Sequence, residues 1–224
     1  MRDVFRGQTL VLLTCGWVLT YPESRRALKQ SIHTYVFTLH LLVPFMTHTF
    51  RLELQHAVAF TAVRFQGVLA SFFLNALFFS HFIEGFGLRE AFPKALSNGF
   101  DFGSHSDVVL FESPLPSPSL PVNTPSFSAT KFAWWNAHHR PYGFTLPLVC
   151  PVCHAVRPWK EATMLPDGWV ASCENPSCGL REDGSRENPA AKLFGKKPDG
   201  IEFVTPVKKR PSGWFAVDIS SEFL

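Results

Sequence analysis

An excess of charge of one sign, internal repeats and a full set of paired cysteines are what this chain lacks, and tyrosine is scarce. Charged residues make up 17% of its 224 positions, and the net charge is +3. Residues 1–130 carry nine basic and eight acidic side chains, and 131–224 carry twelve and ten. Neither half has the basic excess that marks a nucleic-acid binder. Five cysteines are too few, and odd in number, which excludes a disulfide scaffold. Tyrosine occurs 3 times against 23 phenylalanines, a bias towards burial or lipid contact. The 46% of hydrophobic residues in turn excludes a disordered polymer.

Two apolar stretches bear on location. Arg2 and Arg6 precede an apolar run at 9–20, the outline of a secretory signal. Asp3 interrupts the basic region, and no small-x-small cleavage site follows before Tyr21. The run therefore reads as a buried strand, and the protein as intracellular. Residues 67–83 fall just under the length of a membrane span and contain Asn75 and His81. Burial beneath a sheet is the preferred reading; membrane anchoring through 67–83 is the alternative.

Strand-like runs at 9–14, 35–45, 57–62 and 107–111 alternate with helical stretches at 22–30 and 71–97, the second divisible near Gly85 and Gly87. This alternation predicts an α/β region over 1–112, with a partial, mostly parallel sheet and flanking helices. Residues 113–127 hold five prolines and predict an extended Pro/Ser-rich linker. Beyond it, 128–224 is rich in Trp, Pro and Gly and predicts a small β-rich module that folds separately.

That module contains Cys150-Pro-Val-Cys153, nineteen intervening residues, then Cys173 and Cys178 with four residues between them. Each close pair forms a tight turn with converging thiolates. The segment between can run out and back as a hairpin reversing at Pro166-Asp167-Gly168, the layout of a zinc ribbon. Four thiolates leave no open position for water, so the predicted cofactor is a structural Zn2+. His154 could replace a thiolate, although an exposed histidine is the preferred reading. Trp134, Trp135, Trp159, Trp169 and Trp214 are expected to supply core rather than a binding platform. Lys208-Lys209-Arg210 reads as a solvated turn.

The fifth cysteine, Cys15, ends the run Leu10-Val11-Leu12-Leu13-Thr14 and is followed by Gly16. In an open α/β sheet the carboxyl edge is where ligands bind. This run resembles the nucleophile strand of caspase-like cysteine peptidases of the CHAT type. The similarity extends through 57–62, Leu88-Arg89-Glu90-Ala91 and 107–111, about half the chain, with residues 35–50 as an insertion. The resemblance implies a thiol nucleophile at Cys15 and a histidine base on an earlier strand, about 50 residues upstream in caspase-type signatures. Only fourteen residues precede Cys15 and none is histidine, so the region looks like the rear half of such a domain. His56 and His105 both precede strands; in a parallel sheet they fall on the amino edge, roughly 17 Å from Cys15. The pairing of the run beside His33 and His40 is left open. The expected function is that of a non-catalytic interaction protein with a protein partner. The alternative is a cysteine peptidase whose histidine is supplied outside this chain.

Overall fold

The computed structural model describes residues 8–12, 16, 19, 21–34, 36–38, 49–51, 54–97, 99–113, 128–180, 185, 191–204 and 212–223. The first apolar run forms β1 (Gln8–Leu12). The proline-initiated helix α1 (Pro22–Thr34) follows, with Glu23 on the positive end of its dipole. The next run contributes β2 (Val36–Thr38), which pairs with β3 (Thr49–Arg51) beyond it, and then comes β4 (Leu54–Phe60). The phenylalanine-rich stretch forms α2 (Gly67–Phe78), a π-helical turn (Phe79–Ile83) and, beyond Gly85 and Gly87, α3 (Leu88–Leu96) and α4 (Phe100–His105). After these come β5 (Val108–Glu112) and β6 (Ser128–Asn136). A hairpin of β7 (Thr163–Leu165) and β8 (Gly168–Ser172) is joined by β9 (Lys192–Lys196). The short β10 (Glu202–Phe203) and β11 (Ser212–Asp218) close the chain's strands.

One six-stranded sheet, ordered β1-β4-β5-β6-β11-β10, organises the molecule. Only β1 and β4 are parallel; β4–β5, β5–β6, β6–β11 and β10–β11 are antiparallel. The expectation of a mostly parallel sheet is therefore wrong. The physical reason lies in the excursion between β4 and β5. A single crossover helix would carry the chain to the far edge. Here α2, α3 and α4 bring it back to the edge it left, so Val108 pairs with Phe60. Glu112 likewise pairs with Ser128, so strands from both sides of 114–127 share one sheet. The boundary expected at 112/128 thus falls inside that sheet.

Both faces of the sheet are buried, which explains the apolar runs Val108–Phe111 of β5 and Phe132–Trp135 of β6. Val58, Phe60, Val108, Leu110, Phe132, Trp134 and Trp214 face α2–α4. Ala57, Ala59, Val109 and Phe111 face α1, and Ala133, Trp135 and Phe215 face the segment that carries β7 to β10. The helical face is an aromatic core: Phe73 stacks on Phe102 at 5.6 Å and meets Phe92 edge-on at 5.5 Å, and Phe102 lies 6.1 Å from Trp214. Trp134 and Trp214 thus serve the shared sheet rather than a separate module. Gly103 permits this approach, because a Cβ there would stand 2.5 Å from Cγ of Trp134.

The opposite face of α2 and the π turn leaves Val68, Phe72, Phe78, Phe79, Phe82 and Ile83 exposed. Among the described residues no helix is long and apolar enough to cross a membrane.

Candidate metal centre and the cleft beside it

Two turns build the cysteine site. In the first, Cys150 N–H donates to the Ala155 carbonyl and His154 N–H to the Cys150 carbonyl, at 2.9 and 3.0 Å. The reversal needs a left-handed residue after Cys153, and His154 takes that role with φ 56°. In the second, Gly179 after Cys178 adopts φ 76°. His154 therefore acts through its backbone, and its exposed side chain is not in the cluster. The hairpin expected between the turns is present: Leu165 pairs with Gly168 across Pro166-Asp167, and Trp169 lies over Gly195 on β9. Trp159 bridges to Cys173, tying the hairpin's base to the second turn.

The sulfurs of Cys150, Cys153, Cys173 and Cys178 all lie within 4.8 Å of one another. Cys150 to Cys178 is 3.8 Å and Cys153 to Cys173 is 3.7 Å, far beyond disulfide length, and all four are free thiols. Each sulfur is met by a backbone N–H. Val152 donates to Cys150 at 3.4 Å and Ala191 to Cys178 at 3.3 Å, while Ala155 and Asn175 serve Cys153 and Cys173. The Asn175 side-chain amide adds a further donor to Cys153. The Ala155 N–H draws the Cys153 thiol down to about 7, whereas burial pushes that of Cys173 up to about 12. Burial around Cys173 disfavours its thiolate unless a nearby cation compensates it. The set is a cluster able to hold a metal ion.

A cleft of about 630 Å3 adjoins this centre, lined by the residues after β4, the start of β5, and residues 138–140, 145–148, 157 and 159. Its floor is Asp107, 4% exposed, which sequence reading missed. Its carboxylate pairs with Arg140 at 3.0 Å and Lys131 at 3.2 Å and accepts the Trp134 N–H at 3.4 Å. Arg140 also donates to the Gly103 and Gly143 carbonyls, so it binds α4 to the 141–143 turn. Ser106 Oγ accepts the N–H groups of Thr61 and Ala62, both at 3.1 Å. No spacing signal marks Asp107; its role appears only once β5 and β6 are paired.

Cys15 lies outside the described residues, as does His40; His33 falls in α1. The next residue, Gly16, donates its N–H to the Ala62 carbonyl at the carboxyl end of β4. His105 precedes β5, and because β5 runs antiparallel to β4 it stands at that same end. Its Nε2 accepts the Gln66 N–H at 3.2 Å. Strand direction thus puts His105 at the edge next to Gly16 rather than a strand length away on the opposite one, where a parallel sheet would have placed it. His56 instead sits within β4, opposite Glu112, and burial lowers its pKa.

Comparison with protein-family models, with curated proteins and with solved structures finds no match to this chain.

Proposed function

We propose that this is a non-catalytic interaction protein whose second half is locked by one structural zinc ion on Cys150, Cys153, Cys173 and Cys178. The observation that carries the reading is the sulfur geometry. A tetrahedral Zn–S distance of about 2.3 Å implies sulfurs about 3.8 Å apart; Cys153–Cys173 and Cys150–Cys178 stand at 3.7 and 3.8 Å, and all four sulfurs lie within 4.8 Å. Iron bound by four thiolates has similar geometry, so metal identity is the test. Protein purified under reducing conditions should carry about one zinc per chain by elemental analysis, with no visible iron–thiolate absorption. Metal-free folded protein would sink the reading.

A second reading, a cysteine peptidase with Cys15 as nucleophile, gains one observation: His105 and Gly16 share one sheet edge. The non-catalytic reading expects iodoacetamide at pH 6.5 to modify the Cys15 peptide no faster than free cysteine, because an unassisted thiol near pKa 8.5 is mostly protonated (about 1% thiolate). Much faster modification, abolished by His105→Ala, would make the peptidase the better reading.

A further inference from the structure

The cleft beside the cysteine centre has the chemistry of a ligand site. Among the described residues Asp107 is the only carboxylate lining it, and Arg140 and Lys131 already occupy that carboxylate. Against it stand donors with nothing to serve. The Arg157 guanidinium is exposed on the cleft wall and has no side-chain partner among the described residues. Arg157 is held there by a left-handed backbone, φ 50°, with its N–H on the Leu148 carbonyl at 2.7 Å. Non-glycine residues in that region are commonest where a site requires them. His105 accepts at Nε2, so in its neutral form Nδ1 is left to donate. His139 adds an exposed imidazole with no side-chain hydrogen bond. His138 is engaged by Glu161 at 3.7 Å and counts for less.

The remaining wall is apolar and planar. Trp159 is half-buried, and its indole N–H is tied to the Pro147 carbonyl at 2.7 Å, which fixes the ring. Leu146, Pro147 and Leu148 flank it. An unpaired guanidinium suits a phosphate, and a fixed indole suits a flat ring. The volume of about 630 Å3 is that of a small-molecule site.

We infer that this cleft binds a small organic phosphate bearing a planar ring, with the phosphate at Arg157 and His139 and the ring against Trp159. The test is calorimetric titration of the metal-loaded protein with adenosine monophosphate as probe. Saturable binding is expected, weakened at least tenfold by Arg157→Gln, restored in part by Arg157→Lys, and weakened several-fold by Trp159→Leu. Arg157 and His139 are exposed, so Arg157→Gln and the companion His139→Ala should fold, which circular dichroism checks. No saturable binding at millimolar probe, or binding indifferent to both Arg157→Gln and His139→Ala, would overturn the proposal. Inorganic phosphate binding as tightly as the probe would also overturn it, by removing the ring from recognition.

Discussion

Cys178→Ser should release the metal and abolish the ordered structure of the hairpin segment. Cys178 is fully buried, and its sulfur lies 3.8 Å from Cys150 across 28 residues of chain. Structural zinc contributes about 10–16 kcal/mol of apparent binding free energy in small modules, most of it expressed as folding. The module's own core is small: Tyr142, Leu146, Ala162, Trp169 and Ala171. It cannot replace that contribution. The effect should also reach the main sheet. Met164 and Ile201 pack on Ala133, Trp135 and Phe215, and Ala162 N–H bonds the Ala137 carbonyl at 2.8 Å. Hydrogen exchange should therefore show lost protection in β7–β9 and weakened protection in β6 and β11. Unchanged protection in β6 and β11 would mean that the hairpin segment folds independently of the six-stranded sheet.

Asp107→Ala should destabilise the fold by about 3 kcal/mol, the range seen when one partner of a buried ion pair is removed. The loss comes mainly from Arg140, whose side chain is 16% exposed and keeps its charge without a counterion. Lys131, at 37%, can turn to water and contributes less. Adding Arg140→Met to Asp107→Ala should recover part of the loss, because the stranded charge is then gone. Urea unfolding of the two single variants and the double variant gives the coupling directly. A loss below about 1 kcal/mol for Asp107→Ala would show that the pair is solvated.

What the sequence made legible, and what it did not, follows from the range of the interactions. The cysteine spacing and Pro166-Asp167 are local signals, and the turns and hairpin they predict are present. Helix α1 and the break at Gly85 and Gly87 are local too. Strand direction is not local. The same alternation of apolar runs and helices serves a parallel or an antiparallel sheet, and only the return of α2–α4 to the edge beside Phe60 decides it. That one undetermined sign carried His105 to the wrong edge. Asp107 was invisible for a related reason. A carboxylate ahead of a strand is ordinary until Lys131 and Arg140, from another part of the chain, close over it.

The pairing of β6 with β11 also sets an order of events as the chain is made. Asn136 and Ser212 are partners, yet the whole cysteine segment lies between them. At about 5–20 residues per second, β11 follows β6 after roughly 4–15 s. Through that interval β6 presents an open edge carrying Phe132, Trp134 and Trp135, the kind of edge that recruits neighbouring chains. The cysteine turns emerge first and can close in that window. On the proposed zinc reading, metal supply during synthesis, rather than after release, is expected to govern how much of the product escapes edge-to-edge association.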